Sequence, residues 1–310
     1  MNPAFSVVFL TTASGAGYGM LAWLGVLNAL GALPRSAWFG LPAIAVALVL
    51  TLAGLLASTL HLGRPERAWR ALSQWRTSWL SREGVMAIVT FIPVLGFALA
   101  WFAAGAGAPI TIALGLAASA CAALTVASQA MIYASLKPIR QWHQSAVLPN
   151  FLLLAAFSGA VCLAALAALR GAGQGAAALA AVVGAAALIG KLGYWRAIDR
   201  PASGPTIESA TGLGFLGQVR SLELPHTEQN YLLREMGFAI GRRHAARLRV
   251  IAAWVGFLLP LLLLAARLLG GGAVAGLAAA VAALVGIYVE RWLFFAEATH
   301  TVTLYYGRAA

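Results

Sequence analysis

Long apolar stretches alternate with shorter polar ones along the whole chain. They fall at about 6–30, 37–61, 83–104, 108–134, 148–169, 173–196, 248–269 and 272–297. Each is long enough to cross a hydrocarbon core of about 30 Å as a helix, which takes roughly 20 residues. No strand-like alternation is present, and backbone groups in lipid must bond internally. The pattern therefore predicts an all-α integral membrane protein, an eight-transmembrane-helix bundle forming one membrane domain over 1–310. Several stretches are dominated by small residues, such as 171-GAGQGAAALAAVVGAAAL-188 and 270-GGGAVAGLAAAVAAL-284. Small side chains let helices approach closely where no hydrophobic force drives them together, so these read as packing surfaces.

Composition agrees with that class. Of 310 residues, 61% are hydrophobic and only 10% charged, with a mean hydropathy of +0.85; a soluble domain is roughly one-quarter charged. A net charge of +12 would suggest nucleic acid in a soluble protein. Here it reads as topology signal and contact with lipid headgroups or a partner, and no nucleic-acid partner is expected. Cys121 and Cys162 both lie in apolar runs and read as small buried side chains rather than a disulfide or metal pair. The start, Met-Asn-Pro-Ala-Phe, lacks the basic opening of a signal peptide, so the first span is expected to be retained.

Charge is one-sided. One face of the bundle carries both termini and the loops 62–82, 135–147 and 197–247. The other carries the short connections 31–36, 105–107, 170–172 and 268–271. Of the 21 lysines and arginines only Arg35, Arg170 and Arg267 fall on the second face, and all nine acids fall on the first. By the positive-inside rule, the chain is expected in the bacterial cytoplasmic (inner) membrane with both termini and all large loops cytoplasmic. Within the longest loop, 200-RPASGPTIESATGLGFLG-217 reads as irregular. The stretch 227–247 reads as an interfacial amphipathic helix, capped by Thr227 and striped by Leu232, Leu233, Met236, Ala239 and Ile240. Arg242, Arg243, Arg247 and Arg249 gather where it would meet the membrane surface. A platform for a soluble partner is compatible with the same pattern.

Candidates for chemistry are few. The five histidines are His61, His143, His226, His244 and His300; only His61 and His300 lie near spans, both at the loop-rich end. A membrane haem needs two facing axial ligands, so no haem is expected, and no metal, nucleotide or acyl-serine motif is present. The informative stretch is 57-ASTLHLGRPERAWRALSQWRTSWLSREGVMA-87. His61 closes the second span and Glu83 opens the third. The loop between them carries Arg64, Arg67, Arg70, Arg76 and Arg82 together with Trp69, Trp75 and Trp79. A carboxylate at a helix start is favoured by the dipole, and Arg and Trp are ordinary interfacial anchors. Yet His61 and Glu83 sit at one depth on adjacent antiparallel helices. A His and a carboxylate there match what quinone chemistry requires, because the carbonyls gain or lose protons as electrons pass. The residues alone leave open whether the pair handles protons or is merely structural.

These residues resemble the membrane-anchor subunit family of DMSO reductase-type molybdenum enzymes. The resemblance runs through 1-MNPAFSVVFLTTASGAGYG-19, 61-HLGRPERAWRALSQWRTSWLSREG-84, 206-TIESATGLG-214 and 225-PHTEQNYLLREMGF-238. It implies an eight-helix anchor without haem that holds an iron–sulfur electron-transfer subunit and a molybdopterin catalytic subunit to the membrane. The molybdopterin and iron–sulfur clusters would reside in those partner subunits only. The anchor would exchange electrons with a quinone, menaquinone or ubiquinone. The resemblance carries the quinone role to His61 and Glu83, with Arg64, Trp79, Arg82 and Tyr133 as neighbours. The arginine-rich loops on the His61–Glu83 side favour a branch whose soluble subunits dock from the cytoplasm, the sulfite dehydrogenase branch, which the 206–238 segment also resembles. A DMSO or polysulfide reductase anchor oxidising quinol is the alternative. A polytopic transporter is the alternative of another class, disfavoured because the pattern shows no midplane charges of the kind an ion path needs. A purely structural anchor is the third.

Overall fold

The structure is a computed structural model that describes residues 2–60, 62–200, 205–220, 222–223, 236 and 240–306. Among the described residues eight helices are long and apolar enough to cross a membrane. They are α1 (Phe5–Ala29), α2 (Ala37–Thr59), α3 (Trp79–Ala104), α4 (Pro109–Ala134), α5 (Val147–Ala168), α6 (Gln174–Asp199), α7 (Ala245–Leu268) and α8 (Gly272–Ala296). The chain is thus an all-α polytopic membrane protein. α3 opens at Trp79, ahead of the expected 83, because Trp79 and Leu80 continue the helix outward past Glu83. The expected amphipathic helix at 227–247 falls mostly outside the described residues; Ile240–Arg243 is a short helical turn ahead of α7.

α1 and α5 form the core of the bundle. Each has 78% of its most apolar window buried, against 28% for α3 and α7, whose outer faces are left for lipid. α1 is surrounded by α2, α4, α5 and α8, and its glycines set how closely they come. A Cβ at Gly19 or Gly159 would run into the backbone of the facing helix, and the same holds where Gly25 meets Gly115. Thr11, Thr12 and Ser14 donate to carbonyls one turn back, at 3.0, 2.9 and 2.6 Å. Such back-bonding lets hydroxyls sit in a buried helix without a stranded donor. In α7, Trp254–Leu258 forms a π turn. Pro260 lacks an N–H for the regular bond to residue 256, and the Leu259 N–H reaches Trp254 instead. The widened turn sets Gly256 against Gly286 of α8.

On the face with short connections, the few arginines are used locally. Arg170 donates to the Trp38 carbonyl (2.8 Å) and Arg267 to that of Ala172 (2.9 Å). The opposite face is built up. A 3-10 helix, Pro65–Gln74, lies against the start of α3. The Ser81 hydroxyl bonds the Ala71 carbonyl, and Arg82 donates to the carbonyls of Trp75 and Arg76 at 3.0 and 2.7 Å. The connection before α5 is tied under the bundle by Trp142 Nε1 to Phe294 O (2.9 Å) and by Tyr194 Oη to Gln141 O (3.0 Å).

Because the α1–α5 contact has no room for a side chain, Gly159→Val should destabilise the bundle by about 1–3 kcal/mol, the usual cost of overpacking. Thermal unfolding in detergent should show the loss. Gly175→Ala, where a Cβ meets open space, should leave the midpoint unchanged or slightly higher.

Candidate functional site

Glu83 lies in the second turn of α3, roughly 6 Å in from Trp79 at 1.5 Å per residue. It is 7% exposed. Its Oε1 accepts a hydrogen bond from Gln129 Nε2 of α4 at 2.8 Å. Tyr18 of α1 and Tyr133 of α4 both lie close enough to feel its charge. The Tyr18 hydroxyl is buried without a hydrogen-bond partner. Tyr133 is enclosed by Trp142, Phe151, Phe294 and Phe295, with ring centroids 5.2–5.6 Å from its own. Glu83 and Tyr133 are thus both drawn into the bundle, within electrostatic reach of each other.

The other expected residues lie further out. Arg82 does not pair with Glu83. It caps carbonyls of the preceding loop, with its guanidinium 4.2 Å from the Trp79 ring centroid. Arg64 is exposed and precedes the 3-10 helix. His61 lies outside the described residues. Of the other histidines, His143 contacts the Ala134 carbonyl through Nδ1 (2.7 Å) and is exposed. His300 Nδ1 accepts from the Val302 N–H (3.0 Å), and burial holds its imidazole below the usual range. Among the described residues no group of three or more metal-ligating side chains occurs, and Cys121 and Cys162 are free.

Charges are buried inside the bundle, on α6 and α8 towards their loop-side ends. Lys191 and Glu290 are 1% and 0% exposed and form an ion pair. Arg291 Nε lies 3.6 Å from the other Glu290 oxygen, and its guanidinium lies 3.8 Å from the Phe151 ring centroid. Lys191 Nζ is 4.1 Å from the Tyr194 ring centroid. With Glu83 ionised, these four side chains carry two charges of each sign, the condition for holding them in a medium of low dielectric. Nearer the loops, Arg249 donates to Glu297 (2.7 Å) and forks onto both oxygens of Asp199 (2.6 and 2.9 Å). Between Gln129 and Arg291 lies a cavity of ≈ 10 Å³, about the size for one water. Thr11, Thr12 and Ser158 line it with them. Sequence reading missed Gln129, Lys191, Glu290 and Arg291. The available signal was a lone polar or charged residue inside an apolar run, since in lipid such a residue marks a buried partner or a function.

Chemically, the arrangement suits proton exchange at Glu83. An amide partner tolerates a carboxyl in either protonation state, whereas a guanidinium fork holds it ionised. The model of the DMSO reductase anchor subunit (DmsC) family matches residues 1–307. A sulfite dehydrogenase subunit of Allochromatium vinosum is 36% identical over the full length of both chains.

The pairing makes a stability prediction. Lys191→Met leaves Glu290 facing only Arg291 and should cost about 3 kcal/mol or more. Lys191→Met combined with Glu290→Gln removes one charge of each sign and should recover most of that loss, read as melting midpoints in detergent. Equal losses in the single and paired variants would show that the pair is not a compensating unit.

Proposed function

The chain belongs to the DMSO reductase anchor subunit family, and from that premise we propose that it passes electrons between an iron–sulfur subunit and membrane quinone at a site built on Glu83 and His61. As a member, it is the membrane anchor subunit of a molybdoenzyme complex. The finer reading is sulfite oxidation coupled to quinone reduction. The molybdopterin subunit takes two electrons from sulfite, which gains an oxygen from water to become sulfate and releases two protons. The iron–sulfur subunit relays the electrons, and quinone takes them up with two protons to become quinol. The molybdopterin and iron–sulfur centres belong to the partners. This chain supplies the binding surface, the quinone site and the protons.

The observation that carries the site is a buried carboxyl on a neutral partner. Glu83 meets Gln129 rather than an arginine, so it can give a proton to a quinone oxygen and take another without breaking an ion pair. In this reading Tyr133, Trp79 and Arg82 are the neighbours that orient the quinone, and Arg64 lies on the loop towards the docked subunits. His61 is placed by sequence at the end of α2 as the second proton group. The built-up face, with its basic 3-10 helix and exposed Trp69 and Trp75, is the docking face. By the charge distribution it is cytoplasmic, with both termini on that side of the inner membrane.

Glu83→Gln in the assembled complex should lower quinone turnover by about 10²-fold or more, the usual weight of general acid–base catalysis. Sulfite oxidation with a soluble acceptor that bypasses the membrane should stay at the parental rate. Normal quinone turnover in Glu83→Gln would remove the site. A reporter fused at the C-terminus should be active only as a cytoplasmic fusion; periplasmic activity would instead place the soluble subunits outside, as for an exported reductase.

A further inference from the structure

We propose that the quinone headgroup enters the bundle from lipid between α2 and α3 and is held there by the hydroxyls of Tyr18 and Thr51, which together bind one of its oxygens. The proposal rests on the quinone reading of Glu83 and adds where the ring sits and which groups orient it.

Two hydroxyls are left over by the packing of the bundle. Tyr18 on α1 and Thr51 on α2 are 2% and 1% exposed, and neither hydroxyl has a hydrogen-bond partner. Other buried hydroxyls behave differently. Thr90 donates to the Met86 carbonyl at 2.7 Å and Thr125 to that of Cys121 at 2.9 Å, each one turn back in its own helix. Thr51 could do the same in α2 and does not. Gly17, next to Tyr18, leaves room for it, since a Cβ there would run into the Thr51 hydroxyl.

Tyr18 and Thr51 line one gap, with Leu48 of α2 and Thr90, Phe91 and Val94 of α3. The gap is too narrow for a water, so water cannot complete either hydroxyl. Buried polar groups in native proteins are nearly always satisfied, and an apolar gap with a few placed polar groups is what a small-molecule site offers. Thr90 is already bonded to Met86 and to Thr125, which leaves Tyr18 and Thr51 as the two open groups. Each can donate or accept. Both donate to a quinone carbonyl, and when that oxygen becomes a quinol hydroxyl one of them accepts instead. The pair therefore holds substrate and product alike with no change of charge. Thr51 lies roughly 12 Å along α2 from Thr59 and Glu83 roughly 6 Å along α3 from Trp79, so the hydroxyls lie deeper than the carboxyl. Glu83 is within electrostatic reach of Tyr18. The oxygens of a para-quinone point in opposite directions, so one held by the hydroxyls turns the other outward, towards Glu83.

The wall between the gap and lipid is the part most able to open. α2 and α3 touch each other far less than α1 touches α2 or α3 touches α4. Leu48 and Phe91 are only half-buried. Pro93, between Phe91 and Val94, has no N–H for the Val89 carbonyl, so α3 lacks one regular backbone bond beside the gap. A ring can part the two helices here and leave its isoprenoid tail in lipid.

The experiment uses the complete purified complex, its iron–sulfur subunit prereduced, mixed with increasing short-chain quinone while quinol formation is followed. Tyr18→Phe and Thr51→Val remove only the hydroxyls. Each should raise the half-saturating quinone concentration about three- to ten-fold, the weight of one hydrogen bond. Melting midpoints in detergent supply a readout apart from activity. Without quinone both variants should melt no lower than the parent, because each loses an unmet polar group; with quinone the parent should gain more than either variant. Quinone should also protect a cysteine placed at Leu48 from alkylation, in a Cys121→Ser background; undiminished labelling overturns the entry between α2 and α3. Parental half-saturation in both variants overturns the pose. So does a lower midpoint without quinone, the mark of a structural bond. Slow turnover in Glu83→Gln beside parental half-saturation in the hydroxyl variants leaves the quinone site standing without this pose. Parental turnover in Glu83→Gln removes the site and the pose with it.

Discussion

A charge inside a lipid-embedded bundle is stable only with its counter-charge beside it, and this constraint orders the molecule. Most ionisable residues stay at one end, on the loops. Those that enter do so in sets of both signs: Lys191 and Arg291 about Glu290, then Arg249 between Glu297 and Asp199. The sets join α6, α7 and α8, so the pairings also fix how those helices sit together. Breaking one partner leaves a charge that the surroundings cannot solvate, which is why a buried pair is more sensitive to loss of one member than to loss of both.

The second constraint is steric. α1 and α5 touch through glycine, and that closeness brings Thr11 and Thr12 of α1 to the same cavity as Ser158 of α5 and Arg291 of α8. Packing and chemistry are therefore linked. The small residues give up dispersion contacts that larger side chains would make, and in return polar groups from four helices converge on one point. The π turn of α7 makes the same exchange against α8, where Gly256 and Gly286 meet.

The number and course of the helices were legible in the sequence because hydropathy reports burial in lipid directly. Glu83 was legible too, as a carboxylate just past an arginine-rich loop at a helix start. Gln129 was not, because one amide in 124-LTVASQAMIY-133 has no meaning until α4 is set against α3. Lys191 and Glu290–Arg291 were visible as residues, but they lie within two turns or so of helix ends, where charges are read as interfacial. Only packing shows that Lys191 and Arg291 turn inward instead of reaching towards headgroups. The partners of Arg82 were not legible either: it stands next to Glu83 in sequence, but the carbonyls of Trp75 and Arg76 take the guanidinium.

Glu83 and Glu297 show why environment rather than residue type assigns a role. Both are glutamates near a helix end at the same face, and both are 7% exposed. Glu297 is bonded to a guanidinium that also holds Asp199, so one of its oxygens is fixed by charge and the other is open. Glu83 has an amide bonded to it and two tyrosines within electrostatic reach, with no cation bonded to it among the described residues. At Glu297 burial pushes the carboxyl above the usual carboxylate range while the Arg249 guanidinium pulls it back. The Glu83 carboxyl, by contrast, is bonded to a partner that tolerates either of its protonation states, which suits a group that changes state at turnover. The two buried cations, Lys191 and Arg291, meet a single carboxylate, Glu290, so the charge of the interior closes only when Glu83 is ionised. Glu83 therefore shares in the balance that holds the bundle while its one direct partner is an amide, and that position, rather than the residue type, sets what it can do.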